Sequence, residues 1–337
     1  MDGSSRRIAA SALCLKANRA GPFERGRAAD TLAHVRGASD YVLYCLLHLA
    51  VFSLRLLPLA VLRPMLEGMA RCVALVDRKH TRIARNNLAV AFPQASARTV
   101  ERTVTQAFRN WGRLAAELIR ARSLIARPRP DWVARGESLV RTLPPGGGLL
   151  VLTAHTANID LLARTWACAT GREIAIFHRP FSNRFVERFL RRERERMGVR
   201  ALGRGTAVRE ALRVLARGGI VAVPLDQNQP PGRPGVFVDF FGKPAATATV
   251  LARLSLFSGA PVVPVFAVWQ GKGLSALLGS PLDPRGLLGE QALERATRRR
   301  AILELTQRYT KEIEAVILKH PEQWNWAHQR WKTRPQQ

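Results

Sequence analysis

The stretch GGGLLVLTAHTANIDLLARTWA, Gly146–Ala167, decides how this chain is read. LLVLTA is an apolar run of strand length that opens on glycines, as a buried strand does. IDLLARTWACAT has the spacing of a helix with one apolar face. His155 then sits in the strand-to-helix turn, and Asp160 in the first helical turn. The same alternation continues downstream. EIAIFH and IVAVPL read as strands, as does PVVPVFAVW. SNRFVERFLRRERERMG, AVREALRVLARGG and ATVLARLSLFSGA read as helices, and a last long helix is expected over about 290–319. Strands alternating with helices predict an α/β fold, a mainly parallel central sheet flanked by helices. Ligands in such sheets bind beyond the carboxyl ends of strands, and His155, His178 and Asp226 each follow such an end.

The two titratable groups suggest chemistry. On a continuous helix, residues five apart diverge by about 140°, a poor geometry for contact. If Asn158 or Thr156 caps the helix, His155 leaves it and the Asp160 carboxylate can reach back to one imidazole nitrogen. The other nitrogen is then a general base. The plainer alternative is an aspartate stabilised by the helix N-terminus beside an incidental histidine. Other active-site patterns are thin. GLSAL (residues 273–277) lacks the last glycine of a nucleophile elbow. GRGTAV (residues 203–208) lacks the third glycine of a dinucleotide loop. No HExxH or carboxylate cluster suggests a metal, and no cofactor is expected.

Upstream of the sheet region, residues 1–40 carry no sustained apolar period and read as a poorly ordered extension. Residues 41–66 form an apolar run, without formal charge from Tyr41 to Leu54 but interrupted by Arg55 and Pro58. A span takes roughly 20 mainly apolar residues, so a membrane anchor helix is expected here and the α/β domain over 67–335. A helix follows from about Ala97 to Arg122, with Val100, Val104, Phe108, Trp111, Ala115 and Leu118 on its apolar face.

The charge is extreme: 53 Lys and Arg against 25 Asp and Glu, a formal +28. Such a chain seeks polyanions, whether nucleic acid, an anionic membrane face, a phosphorylated lipid or an acidic carrier protein. The arginines are spread rather than interleaved with stacking aromatics, so nucleic acid is not the expected partner. The four cysteines, Cys14, Cys45, Cys72 and Cys168, form no CxxC pair and read as buried or lipid-facing free thiols.

Five blocks in register give these features company: IARNNLAVAFP, HTANID, HRPFSNRFVERFLRRERERMG, DQNQPPGRPGVFVDFFGKPAATATVLARLSLFSGAPVVP and PEQWNWAHQRWKTRP. Together they resemble the late acyltransferases of lipid A biosynthesis, of lauroyl and myristoyl type, within the glycerolipid acyltransferase superfamily. The likeness runs from about Tyr41 to Pro335. It implies a monomeric enzyme at the bacterial inner membrane, with its catalytic domain on the cytoplasmic side. Such an enzyme moves an acyl chain from acyl carrier protein or coenzyme A to a hydroxyl of a lipid A precursor, without a covalent intermediate. His155 and Asp160 fall on the family's HX4D/E pair, as base and orienting acid. Arg179 and Asn183 match its second block, and one of Arg194 and Arg196 matches its important arginine. Asp226 and Gln227 match its DQ, with a pocket-lining or supporting role. Phe237, Phe240 and Phe241 are candidates for an acyl channel or plain core, and Thr247 and Arg253 are candidate supports. WNWAHQRWKTRP alternates tryptophan with cations, which suits lipid headgroups or a cap docked on the domain. Aspartate where lipid A enzymes commonly carry glutamate leaves the acceptor open. A lysophospholipid or a mannosylated phosphoinositide is the alternative, and a membrane-tethered polyanion binder a distant one.

Overall fold

A computed structural model describes residues 40–126, 146–178, 183–196, 198–203, 205–271, 273–284 and 295–335. The chain separates into two compact units. One comprises residues up to Leu54 with Phe181–Leu190, the other Arg55–Pro180 with Arg191–Gln337.

The helices before the sheet are α1 (40–54), α2 (Leu59–Val76), α3 (Arg78–Ala91), α4 (Ala97–Ile119) and α5 (Ala121–Ala126). Thereafter come β1 (Leu149–Thr153), α6 (Ile159–Thr170), β2 (Ile174–Phe177), α7 (Arg184–Glu195), β3 (Val199–Leu202), α8 (Ala207–Ala216) and β4 (Ile220–Pro224). The chain continues through β5 (Gly235–Phe240), β6 (Lys243–Ala248), α9 (Val250–Ser258), β7 (Val262–Gln270), β8 (Gly273–Leu278) and α10 (Arg295–Lys319). The sheet order is β3-β2-β4-β1-β7-β8, parallel throughout except for the antiparallel β7–β8 pair. The expected mainly parallel α/β architecture is therefore present, and GLSAL, unremarkable as a motif, lies in the edge strand β8.

Every residue of β1 is buried, as a strand covered on both faces must be. The pleat sends Leu150 and Leu152 to a core shared with Val221, Val223, Leu251, Leu254 and Tyr309. It sends Leu149 and Val151 to the opposite core, with Leu161, Leu162, Trp166, Ile220 and Ala222. β5 and β6 form a separate hairpin whose two-residue turn, Phe241-Gly242, has positive φ at both positions (54° and 71°). This is the twist that two-residue hairpins favour.

Two expectations change, and two others are narrowed. The run 41–66 is not one helix: α1 ends at residue 54 and α2 begins at Leu59. Pro58 cannot donate the N–H that a continuous helix would need. Arg55 donates to Glu193 (2.9 Å) and to the Ile119 carbonyl (3.3 Å). Among the described residues no helix is long and apolar enough to cross a membrane. On α4, the buried positions after Phe108 are Asn110, Gly112, Arg113, Ala116 and Glu117, so a charged pair goes inside where Ala115 and Leu118 were expected. The carboxyl-terminal segment is docked on the domain, with Trp324, Trp326 and Arg330 at 2%, 1% and 0% exposure. That placement excludes a headgroup role for these three side chains. Cys45, Cys72 and Cys168 are free, as expected, and exposed rather than buried, while Cys14 lies outside the described residues.

α2 and α4 pack backbone to side at Gly112, where a Cβ would stand 2.2 Å from the Leu66 carbonyl oxygen. Both partners are helix backbone, so the clash cannot be relieved by a rotamer change. Gly112→Ala is expected to destabilise the protein by about 1–3 kcal/mol. The denaturant midpoint should fall while the slope of the unfolding transition holds.

Candidate active site

Strand register builds the site. β1 and β4 pair with Thr153 opposite Pro224, and the Leu225 N–H donates to the Thr153 carbonyl (3.0 Å). Two residues beyond this last pair stand His155 on one strand and Asp226 on the other. The Asp226 carboxylate, acceptor-only when ionised, takes the His155 backbone N–H on Oδ2 (3.0 Å) and the imidazole Nδ1–H on Oδ1 (2.8 Å). The Trp324 indole N–H adds a third bond to Oδ2 (2.8 Å). Asp226 is buried, with its side chain 2% exposed, whereas the His155 side chain is 38% exposed. The pair thus has a hidden orienting end and an open working end. The His155 Nε2 faces the Gln227 amide nitrogen at a long 3.4 Å, a weak contact.

Burial pulls the imidazole towards its neutral form. The Asp226 charge and hydrogen bond, with the charge of Asp160, outweigh it and raise the His155 pKa above its ordinary value. Burial works against the Asp226 carboxylate too, but the His155 charge and donors with the Trp324 N–H hold it well below the usual range.

Asp160 does not hold the imidazole, contrary to the reading of the HX4D spacing. Its carboxylate turns to Arg194, which grips it with Nε on Oδ1 (2.9 Å) and Nη2 on Oδ2 (3.0 Å). The buried Arg164 guanidinium lies 4.0 Å away on the same helix. Burial would raise the Asp160 pKa, but Arg194, then Arg164 and His178, bring it below its ordinary value. The helical offset of Asp160 turns it away from Nδ1, and Asp226, entering from the neighbouring strand, takes the position.

The turn between His155 and Asp160 is tightly held. Asn158, fully buried, caps α6 by accepting the Leu161 N–H on Oδ1 (3.0 Å), the capping role the sequence suggested for Asn158 or Thr156. Thr156 instead donates its hydroxyl to the Ala267 carbonyl (2.8 Å). Between them Ala157 has φ 37°, in the left-handed region that costs a non-glycine residue energy.

Of the arginine pair, Arg194 engages Asp160, while Arg196 is mostly exposed and donates to Glu193 (2.8 Å). Asn183 lies in the smaller unit, where it caps α7 by accepting the Phe185 N–H (2.9 Å) and donates to Asp40 (3.0 Å). Arg179 lies outside the described residues. Phe240 is core, fully buried and stacked on Trp331 (5.5 Å). Phe237 is exposed at 39%. Thr247 accepts from Arg330, and Arg253 donates to Thr249 (3.0 Å).

The residues that the sequence reading missed come from far along the chain. Arg330 lies wholly inside, bonded to the carbonyls of Ala246 (2.6 Å) and Gln227 (3.3 Å), with its guanidinium 5.1 Å from the Phe240 ring centre. Burial brings it down to about 10, partly offset by Asp226, so it stays charged at neutral pH. Asn228 donates its N–H to His328 Nε2 (2.9 Å) and exchanges bonds with Thr333 (3.0 and 3.1 Å). Glu117 accepts from Asn158 Nδ2 (3.0 Å) and Trp269 Nε1 (2.9 Å). The available signal was the mixing of these polar residues into otherwise apolar or aromatic segments, which by itself names no partner. Among the described residues no cluster of His, Cys, Asp and Glu could hold a metal ion.

A mainly parallel α/β sheet thus carries a carboxylate-held histidine at its strand ends. The chain belongs to the bacterial lipid A biosynthesis acyltransferase family, whose profile matches residues 32–333, and it is therefore an acyltransferase. It is 28% identical over 262 residues to the lipid A biosynthesis palmitoleoyltransferase of Escherichia coli (strain K12), covering 77% of this chain and 80% of that protein. It is 26% identical to that organism's lipid A biosynthesis myristoyltransferase, over 80% of this chain and 81% of the relative. The same identity holds against the lauroyltransferase, over 80% and 84%.

Breaking the two-pronged Arg194–Asp160 pair leaves a mostly buried carboxylate with the Arg164 guanidinium 4.0 Å away in place of two direct bonds. Arg194→Ala is expected to cost about 3 kcal/mol in denaturant unfolding at neutral pH. Because the folded Asp160 pKa is lowered, the wild-type advantage is present above the ordinary carboxylate pKa. It is lost as pH falls through the folded value. Unfolding curves at neutral and acid pH check both statements.

Proposed function

We propose that this acyltransferase moves a fatty acyl chain from a thioester, carried by acyl carrier protein or coenzyme A, to a hydroxyl of a lipid A precursor or related glycolipid. The observation that carries the mechanism is the half-exposed imidazole with Nδ1 held by a buried carboxylate. A nitrogen so held stays protonated, which leaves Nε2 as the proton acceptor. In the proposed reaction Nε2 takes the proton of the acceptor hydroxyl as its oxygen attacks the thioester carbonyl carbon. The imidazolium that forms is stabilised by Asp226 and, from further off, by Asp160. As the carbon–oxygen bond is completed the carbon–sulfur bond breaks, and the thiolate leaves with the proton returned by the imidazolium. Asp160, already committed to two arginines, is assigned to holding Arg194 rather than to proton transfer. Arg194, with Arg179, is assigned to the anionic substrate or the developing oxyanion.

The second reading is another acceptor class, a lysophospholipid or a mannosylated phosphoinositide, because aspartate stands at position 160 where lipid A enzymes commonly carry glutamate. Mass spectrometry of envelope lipids from a strain lacking the protein separates the two by which species loses one acyl chain.

The proposed workplace is the cytoplasmic face of the bacterial inner membrane. Exposed Val61, Met65, Met69, Val73 and Val76 recur at steps of four, four, four and three along α2, an apolar ridge that water does not favour. Arg78, Lys79 and Arg82 follow at once on α3, lining a cavity of about 610 Å³ with Leu75 and Arg85. An apolar ridge beside cations fits an interfacial docking surface on anionic lipid. Val73→Glu is expected to cut co-sedimentation with anionic vesicles severalfold. High salt should weaken what remains, and unchanged binding would remove α2 from the docking surface.

His155→Ala is expected to abolish transfer in a folded protein. Asp226→Asn should lower kcat and shift the acid limb of the kcat/KM–pH profile to lower pH. The reason is that Asp226 raises the His155 pKa, and catalysis needs the neutral ring. An acid limb that stays in place would separate Asp226 from the working base.

A further inference from the structure

We infer that Glu117, on α4, is a positioning residue for His155, because its acceptor-only carboxylate fixes which way the Asn158 side chain points. The inference rests on the acyl-transfer reading above and extends it to a residue outside the catalytic blocks.

Glu117 is 6% exposed and each of its partners is a donor. Burial raises its pKa above the ordinary carboxylate value, and the Asn158 donor, the Arg113 charge and donor and the Trp269 donor work against that rise. Oε1 accepts from Arg113 Nε (3.2 Å) and Trp269 Nε1 (2.9 Å), and Oε2 accepts from Asn158 Nδ2 (3.0 Å). The Arg113 guanidinium also lies over the Trp269 ring, 4.6 Å from its centre. Arginine and tryptophan side chains can only donate, so neither can reverse its bond. Asn158 is the one member with both a donor and an acceptor end. With a carboxylate on its amide nitrogen, Oδ1 is directed to the Leu161 N–H that it caps (3.0 Å). That cap anchors the far side of the left-handed residue Ala157, and His155 hangs on the near side, three residues before Asn158. Reversing the amide would set Nδ2 against the Leu161 N–H, donor against donor. The cap would be lost beside a backbone that needs it to keep a costly φ.

A polarity exchange tests this in the full chain. Glu117→Gln keeps size and shape. The introduced amide oxygen can still accept from Arg113 and Trp269, but its NH2 must donate to Asn158 and so reverse it. Adding Asn158→Asp restores every bond: the NH2 donates to one carboxylate oxygen, and the other caps Leu161. The double variant also keeps the net charge. Three quantities are measured: kcat and KM for acyl transfer, thermal unfolding, and the ring signals of His155 by 15N NMR.

Glu117→Gln alone is expected to lower kcat on the order of 10–100-fold, the scale of a misplaced catalytic group. KM should stay within about twofold and the His155 Nδ1–H signal should shift. The double variant is expected to recover kcat to within about threefold and to return the NMR signal. A single variant with wild-type kcat overturns the inference. So does a double variant that is folded yet no better than the single, or one that does not fold, since restored pairing is the claim. If the single variant is unfolded, recovery in the double decides the matter. Absence of transfer by the wild-type protein counts against the acyl-transfer reading instead, and the NMR comparison then still tests Glu117.

Discussion

The site depends on one carboxylate filled by three donors. Asp226 takes the backbone and ring N–H groups of His155 and the indole N–H of Trp324, in a place where water cannot compete. A buried carboxylate left short of donors would be protonated or displaced. Here the donors hold it ionised, and its charge in turn fixes the imidazole tautomer. The contact exists because β1 and β4 pair in parallel with Thr153 against Pro224. A shift of one residue in that register would turn each side chain to the other face of the sheet and separate the pair.

Around this contact the protein builds concentric supports from distant parts of the chain. The carboxyl-terminal segment supplies Trp324 to Asp226, and Gln323 pins β7 through paired bonds with the Trp269 backbone (2.7 and 3.0 Å). Asn87 on α3 holds the same segment by the carbonyls of Trp326 and His328, both at 2.7 Å. Arg330 ties the strand ends to the β5–β6 hairpin beneath them. The helix α4, tied to the same carboxyl-terminal segment by the Asn110 amide on the Glu322 carbonyl (2.7 Å), brings Glu117 to Asn158 in the HTANID turn. Polar side chains are costly to bury singly and are retained here in connected networks, which limit the arrangements that the turn can adopt.

The second cluster, Asp160 with Arg194 and Arg164, works by a different balance. Two guanidinium groups around one carboxylate leave a net positive charge close to His155, which on the reading proposed must meet an acyl thioester and an anionic lipid. Glu193, one residue away on α7, is in turn met by Arg55, Arg122 and Arg196. The +28 of the chain is thus partly spent on ordering its own few acids rather than being held in one open patch.

Much of this was written in local sequence. The apolar runs and the glycines that punctuate them determine the β1, β2, β4 and β7 strands, and their alternation with helices determines a parallel sheet. His155 at a strand end and the need for a cap before Ile159 follow from the same short stretch. The partner of His155 does not, because a five-residue spacing names the nearest acid in the chain, while pairing is decided by the neighbouring strand, 71 residues on. The same reason hid Glu117, Trp324 and Arg330. A charge or an indole in a mixed segment looks like surface until tertiary packing brings an acceptor or donor against it. Local propensity therefore set the elements and placed His155, and only strand register and the docking of α4 and the carboxyl-terminal segment decided what holds it.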